Sequence, residues 1–217
     1  MDDVVLRQNV LDELEFEPSV NAAHIGVTAE NGVVTLSGHV SSYAEKIAAE
    51  RAAQRVKGVR GIAQEIEVRY AGSLKSSDDE IAGRAVNILR WNTVVPGDAV
   101  KVKVEDGWVK LSGEVEWQYQ RSAAESDIRK LSGVAGVTND ITIKAHVQTS
   151  DVKRKIEDAL KRNAEVEAQR IRVSVLGDGK IALEGTVHDW QERSTAERAA
   201  WSAPGVRAVE DRLTITG

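Results

Sequence analysis

The chain has 217 residues, of which 29% are charged, a net charge of −5 and no cysteine. These values exclude a disulfide framework, a thiolate nucleophile and a Cys-based metal site, and they argue against nucleic acid as a bulk partner, since phosphate binding needs a cationic surface. No apolar run approaches the ~20 residues needed to span a bilayer. The start, Met1-Asp2-Asp3-Val4, has no basic segment followed by an apolar core. The expectation is a cytoplasmic protein, or a periplasmic one if a signal has been removed.

In chain order, Leu6, Val10, Leu11 and Leu14 recur at the three-to-four spacing of one helix face. Alternation with period two follows, with Ile25, Val27 and Ala29 before Glu30-Asn31-Gly32 and Val34 and Leu36 after it. Asn-Gly between alternating segments predicts a β-hairpin, because the tight turn needs positive φ. Ala48, Ala49, Ala52, Ala53 and Val56 mark a second helix whose small residues let it lie close against a sheet. Gly58 reads as its C-cap, and Ile66 and Val68 form a last strand.

The same order then returns. The second copy has Ile81, Ala85, Val86 and Leu89, opened by the capping-box pattern Ser77-Asp78-Asp79-Glu80. Val100, Val102 and Val104 precede Glu105-Asp106-Gly107, with Val109 and Leu111 after it; Ala123, Ala124, Ile128 and Leu131 lead to Gly133, and Ile141 and Ile143 close the copy. The third runs through Val152, Ile156 and Leu160, then Leu176-Gly177-Asp178-Gly179 with one extra turn residue. Ile181 and Leu183 follow, then Ala196, Ala199, Ala200 and Ala203, Gly205, Leu213 and Ile215.

Three glycines anchor the register, Gly38, Gly113 and Gly185, at spacings of 75 and 72 residues. Six residues before each stands Gly32, Gly107 or Gly179, and a Gly-Val pair begins at Gly58, Gly133 or Gly205. Such a period exceeds that of ordinary solenoids, so each copy is read as a small complete domain. The predicted class is α+β: three tandem αββαβ modules, each a three-stranded sheet packed on two helices. Their expected bounds are 1–72, 73–146 and 147–217, with linkers near 71–76 and 145–150. A module of about 70 residues is close to the lower size limit for a self-sufficient core, so contacts between modules should add stability.

This order, with its Gly-x-Val, Ala-Glu and Gly-Val markers, resembles the bacterial BON domain family. The match is carried by Gly32, Leu36, Gly38, Val40, Ala49, Gly58, Val59, Ile66 and Val68 with their counterparts. The resemblance implies a three-stranded sheet covered by two helices, no catalysis, and binding of phospholipid membranes, with ion binding in some relatives. It also implies association with osmotic stress. Well-known relatives are exported through a signal that this sequence does not show.

Little in the residues suggests chemistry. The histidines, His24, His39, His146 and His188, occupy different module positions with no metal-ligand spacing, and read as solvated side chains. Asp78, Asp79 and Glu80 suit a helix start. The glycines form no phosphate loop and read as hairpin and cap residues. The expectation is a protein that is not an enzyme and has no cofactor and no metal.

The tryptophans carry more. Trp91 matches Phe16 and is expected to pack near the end of the first helix. Trp108, Trp117, Trp190 and Trp201 align with polar residues in at least one sister copy, such as Lys180, Asp189, Gln118 and Gln54. They are therefore expected outside the single-module cores, either packing between modules or touching a partner. On the second sheet Lys101, Lys103, Lys110 and Lys144 would ring Trp108 on the face opposite the core. That face would suit an anionic phospholipid surface or a protein partner. A homo-oligomeric scaffold is the structural alternative, and a potassium-type ion sensor is a reading implied by the family alone.

Overall fold

The computed structural model describes residues 2–70, 76–144 and 151–216. Residues 71–75 and 145–150 of the expected linkers, His146 among them, fall outside these. Each module builds its own sheet. In the first, helix α1 (Asp3–Phe16) leads through a 3-10 turn at Ala22–His24 into β1 (Ile25–Glu30) and β2 (Val33–Val40), then α2 (Tyr43–Arg55) and β3 (Gly61–Val68). The second has α3 (Asp78–Trp91), β4 (Val100–Glu105), β5 (Trp108–Val115), α4 (Gln118–Arg129) and β6 (Gly136–Ile143). The third has α5 (Val152–Arg162), a 3-10 turn at Ala168–Arg170, β7 (Ile171–Gly177), β8 (Lys180–Val187), α6 (Trp190–Trp201) and β9 (Ala208–Ile215). The middle strand of each sheet pairs antiparallel with the strand before it and parallel with the strand after the second helix.

Both helices of a module cover one sheet face, and the apolar positions read from periodicity line that core. Leu36, Leu111 and Leu183 are fully buried in their three separate clusters. The hairpins turn as expected, with positive φ at Asn31-Gly32, Asp106-Gly107 and Asp178-Gly179. The extra residue of the third copy appears as a bulge between Val175 and Gly177.

A tie between helix and hairpin escaped the sequence reading. The Asp3 carboxylate accepts from the amides of Asn31 and Gly32 at 2.9 and 3.3 Å, and Asp78 accepts from Asp106 and Gly107 at 2.8 and 2.9 Å. Asp78 therefore closes the turn as well as favouring a helix start, where Ser77 Oγ caps the Glu80 amide at 3.3 Å.

Several expectations are corrected. Trp91 and Phe16 are not packed: they close α3 and α1 and are 84% and 82% exposed. Val86 is 45% exposed, one step round the helix from buried Ala85. Gly58, Gly133 and Gly205 are not the helix caps, which are Val56, Lys130 and Ser202. Each of these glycines, at φ +95°, +92° and +89°, occupies the third place of a following four-residue turn, closed in the first module by the Val59 amide donating to the Val56 carbonyl. Gly38, Gly113 and Gly185 are neither hairpin nor cap residues. They lie inside β2, β5 and β8 at φ +105°, +130° and +129°, where the backbone entering the first strand passes too close for a side chain.

Candidate interaction surfaces

The outer face of the second sheet follows from alternation: residues between the core positions of β4, β5 and β6 point away from the helices. Trp108 is 52% exposed there, and its ring covers Gly136, its partner on β6. The indole Nε1–H donates to Thr138 Oγ1 at 2.8 Å. Part of the ring thus has a local packing role, because a glycine in a strand leaves backbone for a neighbour to cover. In the sister modules the equivalent pairs are Val33 with Gly61 and Lys180 with Ala208.

The lysines do not ring Trp108 but run along the face to one side of it, because Trp108 begins β5 while Lys101 pairs with Ser112 and Lys144 follows the far end of β6; the face is also less basic than expected. Lys103 is 2.9 Å from Glu105 and Lys110 is 2.8 Å from Asp140. Glu105 holds the Lys103 ammonium above its ordinary pKa and is itself held below the usual carboxylate range by Lys103. The same alternation that puts the lysines outward puts these acids beside them. Lys101 and Lys144 are exposed and have no ion-pair partner among the described residues. The third sheet neutralises itself more fully, with Arg212 2.7 Å from Glu184 and 2.6 Å from Glu210. Trp108, rather than charge, is what distinguishes the second face.

The other three tryptophans divide. Trp190 begins α6 but packs on the core of the first module, and its Nε1–H donates to the Val59 carbonyl at 3.2 Å. It is a seam between modules. Trp117 and Trp201 line one groove between the second and third modules together with Tyr119 and Ala123. Trp201 also packs against the third core, with its indole N–H on Glu197 at 3.2 Å. Tyr43 packs against the core of the second module, and Arg207 Nε donates to the Ile143 carbonyl at 3.3 Å.

Buried polar groups were missed in the sequence. Glu45, Gln120 and Glu192 occupy one repeat position, the first turn of each second helix, and all three are buried. Glu45 accepts from the Asn21 amide at 2.9 Å and from the Ser41 amide and hydroxyl at 2.9 and 2.8 Å. Gln120 Oε1 accepts from the amides of Glu116 and Trp117, both at 3.0 Å. Glu192 accepts from the amides of Glu167 and His188, both at 2.7 Å. Each therefore pins the loop before β1, β4 or β7, or the turn before its own helix, to that helix. Burial pushes the Glu45 carboxyl up, but its amide and hydroxyl donors outweigh that and hold it below the usual carboxylate range; Glu192 behaves alike. A place that accepts neutral Gln in one module serves structure.

These shifts have a signed consequence. A carboxylate held lower in the folded state stabilises the fold at pH above its unfolded value, and that contribution is lost as pH falls through the depressed folded value. The double variant Glu45→Gln, Glu192→Gln is expected to be less stable near neutrality by about 1–2 kcal/mol, as charge-assisted bonds become neutral ones. Its urea midpoint should also fall less steeply with acid than that of the parent chain.

Among the described histidines, His24 and His188 are exposed. The structure stacks His24 on His39, ring centroids 4.7 Å apart at 16°. His188 Nδ1 is 3.0 Å from Glu192 Oε2.

Three αββαβ modules in register are matched by family comparison: the model described as the BON domain covers residues 2–70, 77–145 and 148–217. The chain is a BON-domain protein. Osmotically-inducible protein Y of Escherichia coli (strain K12) is 35% identical over 148 residues, or 66% of this chain and 74% of that relative. Among solved structures, a structural protein of the type III secretion system of Chlamydia trachomatis is 16% identical, with a TM-score of 0.27 over 99% of this chain and 93% of that one. Its C-terminal domain is also 16% identical, with a TM-score of 0.28 over 100% of both chains. Scores at this level carry no argument about this chain. Among the described residues of the three BON modules, no helix is long and apolar enough to cross a membrane.

Proposed function

We propose that this chain is a non-catalytic binding protein associated with osmotic stress, and that its second BON module engages an anionic phospholipid surface. Its likeness to osmotically-inducible protein Y supports the stress association. The observation that carries the binding reading is Trp108, held half-exposed at the hairpin end of the outer sheet face, with the Lys103–Lys110 pair two residues along and Lys101 and Lys144 farther down the same face. Tryptophan suits the level of lipid headgroups, and each nearby lysine adds about 1 kcal/mol of attraction to an anionic membrane. The ion pairs of Lys103 and Lys110 are exposed, so they are weak and open readily. The buried carboxylates support a non-catalytic protein, since they are committed to amides.

The test is cosedimentation with vesicles of anionic and of neutral phospholipid. Binding to the anionic vesicles is expected at 0.1 M salt and release at 1 M, as the Debye length falls from ~10 to ~3 Å. Trp108→Val, which copies the first module and keeps the glycine covered, should weaken binding by roughly thirtyfold, the loss of an anchor worth about 2 kcal/mol. Lys101→Ala should weaken it about fivefold. Equal binding of the parent chain and Trp108→Val would remove this face from the reading. Capture of an acidic protein without any vesicle binding would move the function to a protein partner.

A further inference from the structure

The three second helices meet the other modules in a cycle. Helices α2, α4 and α6 begin with Tyr43, Gln118 and Trp190, one repeat position in three forms. Tyr43 packs on the second module, Gln118 lines a groove against the third, and Trp190 packs on the first. Two seams of the cycle are thus plugged by an aromatic ring. At the remaining seam the plug is Gln, and a groove of about 870 Å³ stays open, within the roughly 300–1,000 Å³ common for ligand sites.

That groove is not simply a smaller contact. Its aromatic bulk has moved to the walls: Trp117 stands where Ser42 and Asp189 cap the sister helices, and Trp201 where they carry Gln54 and Arg129. Tyr119, 59% exposed, completes the wall. At its base the Gln118 Oε1 atom is buried and has no hydrogen-bond partner among the described residues. The amide nitrogen is 3.5 Å from Ser122 Oγ, so either orientation of the amide leaves one polar atom to be satisfied. Such an orphan costs roughly 1–3 kcal/mol until something pairs with it. At the rim Arg198 donates to Thr195 Oγ1 at 3.0 Å and forms no ion pair among the described residues.

We propose that this groove between α4 and α6 is a docking site for a partner polypeptide that inserts a Trp or Tyr side chain beside an acidic residue. The inserted ring takes the place that Tyr43 and Trp190 fill at the other seams. A peptide group or side-chain N–H or O–H meets the orphaned amide of Gln118, as the Trp190 indole meets the Val59 carbonyl at its own seam. The acidic neighbour meets Arg198. The site is separate from the Trp108 face and stands or falls independently of it.

The experiment titrates the full chain, labelled with 15N, with acetyl-Gly-Glu-Trp-Gly-amide and follows the indole signals. Saturable shifts are expected at Trp117 and Trp201 and not at Trp91 or Trp108. Replacing the peptide's Trp by Leu should weaken binding at least tenfold, and replacing its Glu by Lys severalfold. Gln118→Trp, which plugs the groove as Trp190 plugs its seam, should raise the melting temperature and abolish the shifts. Tyr119→Ala, at an exposed position, should weaken binding severalfold with an unchanged melt.

The proposal is overturned if the peptide leaves Trp117 and Trp201 unmoved at 10 mM, if the Leu peptide binds equally, or if Gln118→Trp still binds. It is also overturned if anionic vesicles move these two signals while the peptide does not. Shifts that depend on protein concentration without peptide would assign the groove to a second copy of the chain, which also overturns it.

Discussion

Gly113→Ala is expected to remove a large part of the stability of the second BON module and to lower its urea midpoint well below that of the parent chain. A Cβ at this position would lie 1.9 Å from the Ala99 carbonyl oxygen, a backbone atom fixed where the chain enters β4. The φ of +130° adds strain that no L side chain relieves. Strain and overpacking of about 1–3 kcal/mol each suggest a loss of roughly 2–6 kcal/mol. A ~70-residue module has only about 4–10 kcal/mol to lose. The matching clashes at Gly38 with His24 and at Gly185 with Arg170, 2.1 and 2.0 Å from their carbonyl oxygens, predict the same outcome in the other modules. Gly83→Ala is the control: it lies within α3, its Cβ would meet nothing within 4 Å, and it should stabilise by about 1 kcal/mol. Urea melts followed by tryptophan fluorescence separate the two outcomes. A Gly113→Ala midpoint equal to the parent's would show that the strand shifts to admit the methyl.

Leu111→Ala should cost roughly 2–5 kcal/mol, the range for emptying a packed leucine site. Leu111 is fully buried on the middle strand, opposite Val102 on β4, and α3 and α4 contribute Ile81, Ala85 and Ile128 to the same core. Little can collapse into the space, because Ala85 and Ala124 on the helix side have only a methyl group and cannot extend into it. Leu36→Ala and Leu183→Ala remove the same atom group from equally buried sites and should fall in the same range. Calorimetry of the three variants would show the transition of the altered module move in each case. A loss below about 1 kcal/mol at any of the three would mean that its module relaxes around the cavity.

The sequence by itself determined the elements, their order and the threefold register. Those features rest on local physics that a chain carries in its own letters. Periodicity chooses helix or strand, positive φ demands glycine or Asn and Asp at turns, and a core position shows the same character in each copy. Comparing copies also placed Trp108, Trp117 and Trp190 outside their own cores. Only the tertiary structure decided what those side chains touch. Trp190 became a plug in another module, Trp117 and Trp201 became two walls of one groove, and Trp108 covered Gly136. It also drew Glu105 and Asp140 to the lysines, stacked His24 on His39, and set Glu45, Gln120 and Glu192 on loop amides. The reason is physical. Periodicity says which way a side chain points within its own module, whereas these contacts depend on strand register and on how one module turns against the next, and no residue spacing records either.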